Sequence, residues 1–481
     1  MPTDSKKGRE GTGANLYSRT PRSQSLRNAQ AGDVWPFRML TQVFGDPEMA
    51  EIWSESATVV GWLAFESALA SAQTVAGVIP AAAATAIISA CEDPEMIDFD
   101  LLYERMRVVG YPILPLIEQL GALGGEEVDR FVHWGATTQD VMDTGLALQA
   151  AQSIDRLIHQ VELVGDSLAA LIEREKATPM VARTHAQHAV PTTFGAKFAV
   201  LLAEFTRHYH RLISERAAVA QVSFFGAGGT SDAYGPSAGA VRKAIATELG
   251  LGAPTVPWHT ARDALASTIW LCVALTATCA KIGTEVIELS RPEIAELSEG
   301  GGRLRGASST MPQKVNPIAS EVLVGIAGSS IGYSSSAALA MRAGHERSTG
   351  EWQVEWNLVP SAFVAASSSL MVARDVIERL ELNRDRMRLN LDGGNGLIMA
   401  EAAMMQLART IGRHRAHEIV YDSCADARRD NIPLSLTLAA RLAAIDCDVG
   451  DIDLEPRNHL GEAMAVVDCS RAEWAARNDA R

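Results

Sequence analysis

Apolar residues recur at steps of three and four along most of the chain. Ile154, Leu157, Ile158, Val161, Val164, Leu168, Leu171 and Ile172 form one series, and Phe194, Phe198, Leu201, Leu202, Phe205, Tyr209, Leu212 and Ile213 form another. A period near 3.6 residues puts each series on one face of a long amphipathic helix. Runs of alternating β-branched residues bounded by Asn-Gly or Asp-Gly turns are missing, so the pattern predicts an all-α fold. From Ala264 to Ala280 no residue is charged. That stretch contains Ser267, Thr268, Thr276 and Thr278 and falls short of the roughly 20 clearly apolar residues of a membrane span. The expectation is a helix buried on every side in a bundle, with no membrane association.

Breaks rich in Pro and Gly divide the chain into a tail (1–33), an N-terminal helical unit (34–136), a central unit of long helices (137–381) and a C-terminal helical unit (382–481). Asp46-Pro47-Glu48-Met49 opens the first unit as a helix start, with Pro near N1 and acids in the first turn. The tail scatters Lys6, Lys7, Arg9, Arg19, Arg22 and Arg27 among Gly, Ser and Thr without an apolar run, so it reads as disordered rather than as a signal peptide. With 47% hydrophobic and 21% charged residues over 481 positions, the chain can build a large core. A net charge of −15 argues against nucleic-acid binding through the general surface, so anions must be held in a local pocket. Six cysteines are widely spread without a Cys-x-x-Cys, which fits a reducing, cytoplasmic setting.

Three polar clusters interrupt the apolar pattern. The first, His133-Trp134-Gly135-Ala136-Thr137-Thr138-Gln139-Asp140, looks like a helix N-terminus whose hydroxyls and free N–H groups can hold a carboxylate; plain N-capping is the simpler alternative. The second, Arg183-Thr184-His185-Ala186-Gln187-His188, frames an imidazole with a hydroxyl and an amide, as a proton donor requires. The third runs from Gly306 to Pro317: Ser308, Ser309, Lys314 and Asn316 sit on a loop made mobile by Gly300, Gly301, Gly302 and Gly306 and stiffened by Pro312 and Pro317. His414 and His417 have helix-face spacing suited to a metal, but no acidic or Cys partner is evident, and they are read as structural.

Together these clusters resemble the fumarase/aspartase superfamily. Its signature Gly-Ser-Ser-x-Met-Pro-x-Lys-x-Asn-Pro is matched from Ser308 to Pro317, with Ala307 where the leading Gly stands. Thr184-His185-Ala186-Gln187 matches a second block. His133 to Gly145 resembles the first block of the branch containing adenylosuccinate lyase and 3-carboxy-cis,cis-muconate cycloisomerase. Likeness to the cycloisomerases extends to Pro257-Trp258-His259-Thr260, His345-Glu346-Arg347 and Glu351 to Trp356.

The resemblance implies a homotetramer whose long central helices form a common bundle, with active sites shared between subunits. It implies β-elimination through an aci-carboxylate carbanion, requiring no metal or organic cofactor. Ser308 would be the base, and His185 the general acid or an orienting group. Lys314 and Asn316 would hold the carboxylate that gains charge, while Thr137, Thr138, Thr184, Gln187, Ser309 and Arg347 would complete binding of a small dicarboxylate. Val315 stands where the cycloisomerases carry a cation, and Arg291-Pro292 replaces an amide and a threonine. These departures direct the reading to a carbon–nitrogen lyase releasing fumarate from a substituted succinate, with nitrosuccinate of secondary metabolism as the specific expectation. A 3-carboxy-cis,cis-muconate cycloisomerase is the alternative, followed by a non-catalytic relative of the lens-crystallin kind.

Overall fold

The computed structural model describes residues 45–302, 304–444 and 449–478; the proposed tail 1–33 lies outside the described residues. The first described helix starts where its sequence directs. Asp46 caps α1 (Pro47–Ile52) by accepting the Glu48 N–H at 3.1 Å, and Pro47 occupies the first turn, where a missing N–H costs nothing. Ser54 likewise caps α2 (Glu55–Val75). Five shorter helices follow: α3 (Ala81–Cys91), α4 (Phe99–Val109), α5 (Ile113–Gly124) and α6 (Glu126–Phe131) before the bundle, and α9 (Ala238–Leu249) after its second member.

The bundle consists of α7 (Thr138–Arg174), α8 (Phe194–Val219), α10 (Asp263–Leu289), α11 (Ile318–Ala340) and α12 (Glu351–Arg379). Both apolar series found in the sequence face its core, where Ile154, Leu157, Leu168, Phe194, Phe198, Leu202 and Leu212 are fully buried. Each such side chain contributes about 1.5–3 kcal/mol through removal from water. The C-terminal segment adds α13 (Arg384–Asp392), α14 (Ala400–Ile411), α15 (Arg413–Asp430), α16 (Leu434–Leu442) and α17 (Ala463–Ala475).

Side-chain contacts fix the helix directions. Ser167 near the end of α7 meets Glu378 near the end of α12, so these two run parallel. Ser267 at the start of α10 reaches Glu215 at the end of α8, and Trp270 early in α10 reaches the Ser334 carbonyl late in α11. Helices α8 and α11 therefore run opposite to α7, α10 and α12. A buried arginine locks three of them together. Arg262, just before α10, donates from Nη1 and Nη2 to Asp143 of α7 at 2.8 and 3.1 Å and from Nε to Glu355 of α12 at 2.9 and 3.1 Å.

Two small antiparallel sheets decorate one end of this bundle. Strands β1 (Pro179–Thr184) and β2 (Gln187–Thr193) form a hairpin, and β3 (Leu297–Ser298) pairs with β4 (Glu381–Leu382). The second apolar core joins α2 and α3 to Val222, Phe224, Tyr234 and α9, so the segment between α8 and α10 packs against the N-terminal helices. Helices α10, α11 and α12 are long and apolar enough to cross a bilayer by length and composition. In α10 and α12 most of that stretch is buried within the fold, whereas in α11 only 28% is. Val324, Ile331 and Leu339 of α11 are 40%, 66% and 43% exposed, which leaves an apolar helix face uncovered in the single chain.

His208 and His210 take opposite sides of α8: His208 is buried on Thr278 Oγ1 at 2.9 Å, while His210 is exposed. His414 lies 3.5 Å from Glu418 on the surface, His417 stacks on Tyr421, and no cluster suited to a metal occurs among the described residues. Cys91, Cys272, Cys279, Cys424 and Cys469 are unpaired.

Candidate active site

Ser308 sits at the start of a loop pinched shut at its base. The Asn316 backbone N–H and side-chain Nδ2 both donate to the Gly306 carbonyl, at 2.8 and 3.0 Å, and Ala307 bridges Val315 in antiparallel register. Gly306 has φ +68°, and a Cβ there would stand 2.1 Å from the Asn316 carbonyl oxygen, so only glycine permits this closure. Beneath the loop, the buried Glu299 carboxylate accepts the N–H groups of Ala319 and Ser320 at 3.1 and 2.9 Å, the Ser320 hydroxyl at 2.9 Å and Arg305 Nε at 3.1 Å. It thereby satisfies the first turn of α11 and holds the loop's two ends together.

The Ser308 side chain is the loop's own organiser. Its Oγ accepts the N–H groups of Met311 and Thr310 at 3.0 and 3.3 Å. Hydrogen bonds to an oxygen favour its charged form, so two backbone donors face the oxygen that a base at this position would leave charged. Lys314 and Ser309 are exposed on the same loop, and the Lys314 ammonium makes no hydrogen bond or ion pair among the described residues. One Asn316 amide proton closes the loop, a structural task added to the carboxylate contact that the resemblance implies.

Thr184, His185 and Gln187 occupy the exposed tip of the β1–β2 hairpin, where Thr184 pairs with Gln187. The two turn residues, His185 and Ala186, have φ of 51° and 60°, the geometry of a tight type I′ turn usually built from Asn or Gly. Each left-handed non-glycine residue costs about 1–2 kcal/mol, strain of the kind kept where a side chain must be presented. One residue before the tip, Arg183 forms a fork on the buried Glu296, with contacts of 2.9 and 2.6 Å, and Asn390 donates to the same carboxylate at 2.8 Å. Glu296 immediately precedes β3, which leads into the Ser308 loop. The hairpin and the loop therefore share one end of the bundle.

Thr137, Thr138 and Arg347 lie at the other end. Thr137 is the N-cap of α7 and Thr138 its first residue; Arg347 precedes α12 by four residues. Arg347 Nη2 donates to Thr137 Oγ1 at 2.9 Å and to the Ala227 carbonyl at 3.5 Å, and its Nε donates to Gln139 Oε1 at 3.0 Å. The glycine-rich segment Gly226 to Gly229 thus borders this cluster. Between the two ends lies the bundle itself: α7 is 37 residues long, about 55 Å, and α11, which joins the Ser308 loop to the Arg347 segment, has 23 residues, about 35 Å.

Buried ionisable groups support the Thr137 end. Asp140 accepts from His259 Nε2 at 2.8 Å, from the Gly226 and Phe225 N–H groups at 2.9 and 3.0 Å, and from the Ser223 hydroxyl and Thr137 N–H at 3.3 Å. Burial pushes the Asp140 carboxyl up, but the imidazole and the backbone donors more than offset it and hold the group below the usual carboxylate range. His133 Nδ1 lies 2.6 Å from the buried Glu66 carboxylate. Burial lowers the His133 pKa, and Glu66 reverses the shift, leaving the imidazole above its ordinary value. Sequence reasoning missed the supporting roles of Gln139, Asp140, His259, Glu66 and Glu299. Only Asp140 carried a signal, since its place three residues after Thr137 fits a capping box. Arg291, one of the departures from the cycloisomerase pattern, pairs with Glu288 at 3.0 Å on the surface.

A family model described as "Lyase" matches residues 43–332, and one described as "Adenylosuccinate lyase C-terminus" matches residues 396–469. The 3-carboxy-cis,cis-muconate cycloisomerase of Pseudomonas aeruginosa is 38% identical over 450 residues, covering 92% of this chain and 98% of the relative. The N-acetyl-S-(2-succino)cysteine lyase of Dickeya dadantii is 34% identical, covering 91% and 97%. The solved 3-carboxy-cis,cis-muconate lactonizing enzyme from Pseudomonas putida superposes with a TM-score of 0.85 at 36% identity, covering 92% of this chain and 99% of that one. With its loop signature, its all-α bundle and these relatives, the chain belongs to the fumarase/aspartase superfamily of lyases, in the branch of the muconate cycloisomerases and adenylosuccinate lyase.

Proposed function

We propose that this lyase makes or breaks a bond at the carbon β to a substrate carboxylate, with Ser308 moving the proton on the α carbon and a 3-carboxymuconate-type tricarboxylate as first substrate. The observation that carries the reading is the pair of N–H donors on Ser308 Oγ, which suits an oxygen that must carry negative charge. In the lactone-forming direction a substrate carboxylate oxygen bonds to one alkene carbon, and the electron pair moves to its neighbour. The resulting aci-carboxylate takes a proton there from the Ser308 hydroxyl. In reverse the Ser308 alkoxide removes that proton, the electrons re-form the double bond and the C–O bond breaks.

Lys314 supports this chemistry as a cation free to meet the doubly charged carboxylate, and His185, at the strained hairpin tip, is presented to a leaving or entering group. The cycloisomerase relatives favour this substrate over nitrosuccinate, the first expectation from the sequence. A second reading keeps the same proton transfer but takes a substituted succinate and releases fumarate. Val315 favours it, being 70% exposed on the loop where the cycloisomerases carry a cation for a third carboxylate.

The site is completed, in this reading, by assembly. Arg347 and Thr137 are separated from Ser308 by about 35 Å of bundle in one chain. Opposed copies packed through the uncovered α11 face would bring the Arg347 end of one subunit to the Ser308 end of another, as in a homotetramer.

Incubation of the purified protein with 3-carboxy-cis,cis-muconate, N-acetyl-S-(2-succino)cysteine, nitrosuccinate and aspartate, following lactone, fumarate and nitrite, tests the assignment. Lactone without fumarate is expected. Fumarate from a succinyl substrate without lactone establishes the second reading, and turnover in Ser308→Ala within about tenfold of the parent would overturn the role of the base.

A further inference from the structure

Gln139 lies between the candidate carboxylate-binding arginine and the buried ionic core, and every atom of its amide is committed. Its side chain is fully buried. Nε2 donates one proton to Asp143 Oδ2 at 3.1 Å and the other to the His259 carbonyl at 2.9 Å. Neither acceptor can donate: one is a backbone carbonyl, and the other is a carboxylate gripped by Arg262 at 2.8 and 3.1 Å. A flipped amide would set its oxygen against two acceptors and its NH2 against a guanidinium. The chemistry therefore fixes Oε1 toward Arg347, whose Nε it accepts at 3.0 Å.

That single contact constrains the guanidinium in its plane. With Nε held by Gln139 and Nη2 by Thr137 and Ala227, the remaining nitrogen, Nη1, has no hydrogen-bond partner among the described residues. Its two N–H groups are the ones left for an anion. We propose that Gln139 is a positioning residue that locks Arg347 so that Nη1 takes a substrate carboxylate, with Asp143 and Arg262 fixing the amide from behind. A planar guanidinium held at two of its three nitrogens loses little freedom on binding, which is where its advantage over a loose cation lies.

The proposal rests on the reading that Arg347 contacts substrate, and the experiment separates the two. Gln139→Met keeps the length and apolar bulk of the side chain while removing both donors and the acceptor. On the substrate that the panel above identifies, Gln139→Met is expected to raise KM at least tenfold with kcat within threefold of the parent, and in an Arg347→Ala background to add nothing further. Independent losses that multiply in the double variant would overturn the proposal, as would an unchanged KM. If Arg347→Ala alone leaves KM unaltered, the reading of Arg347 fails and the proposal falls with it. A crystal structure of Gln139→Met supplies a readout that needs no substrate: the Arg347 guanidinium is expected to leave Thr137, and its retention in the parent position would overturn the proposal. Should Gln139→Met not fold, Gln139→Asn, one methylene too short to reach Asp143 and Arg347 together, is put through the same measurements with the same expectations.

Discussion

Arg347 Nη2 donates to Thr137 Oγ1 across 2.9 Å, joining two residues 210 positions apart, the N-cap of α7 and a residue four positions before α12. The contact makes Thr137 more than a helix cap, because its hydroxyl oxygen holds a cation at the mouth of the candidate site. Thr137→Val keeps the shape and removes the acceptor. A hydrogen bond to a charged group contributes about 1.5–3 kcal/mol, so kcat/KM is expected to fall roughly ten- to hundredfold. Steady-state kinetics beside a thermal melt check this; a lower melting temperature with intact kcat/KM would assign Thr137 to capping alone.

Closure of the Ser308 loop depends on one glycine. At Gly306 a methyl group would meet the Asn316 carbonyl 2.1 Å away, on a backbone already at φ +68°. Gly306→Ala is expected to open the base of the loop and lower kcat/KM at least about a hundredfold, since small misplacements of a reacting group carry that cost. Because the loop is largely exposed, the unfolding midpoint in urea should barely move.

The ionic core behaves differently. Arg262 is buried between Asp143 and Glu355, and burial raises the Glu355 carboxyl while the guanidinium opposes that rise. Arg262→Ala leaves two buried acids facing each other. A loss of about 3–5 kcal/mol in urea unfolding is expected. Arg262→Met, which fills the volume but not the charge, should stay destabilised until Asp143 and Glu355 are also made neutral.

His133 gives the fold a pH dependence of known sign. Its pKa rises on folding from the ordinary 6.5 because the buried Glu66 carboxylate outweighs desolvation. A group raised in this way stabilises the folded state fully below its unfolded pKa, and the contribution fades as pH climbs through the folded value. Stability contributed by His133 is therefore present below about pH 6.5 and lost at higher pH. In Glu66→Gln the imidazole proton resonance of His133 should titrate at lower pH than in the parent, and an unchanged midpoint would remove Glu66 as the cause.

Much of this was legible in the sequence, and for identifiable reasons. The spacing of Ile154 to Ile172 and of Phe194 to Ile213 announced α7 and α8 because a buried helix face leaves a period of 3.6. Ser308, Lys314 and Asn316 stood out because a short loop sets their separation along the chain. The β1–β2 hairpin was hidden, since its turn is His185-Ala186 rather than Asn-Gly, and its pairing covers only six and seven residues. Gln139, His259 and Glu299 were hidden for a different reason: their partners lie 120, 119 and 20 or more residues away, and only folding brings them together. The Arg347–Thr137 contact spans 210 positions as well, so the sequence named both residues without joining them.

The central claim is that Ser308 of one copy and Arg347 of another serve the same substrate. Ser308→Ala and Arg347→Ala, each prepared alone, are unfolded in urea, mixed in equal amounts and refolded together, and kcat/KM of the mixture is compared with that of each variant refolded by itself. Shared sites predict activity well above the sum of the two residual activities, because some sites then draw both native residues from different subunits. A mixture no more active than that sum, although the two variants demonstrably co-assemble, would contradict the account.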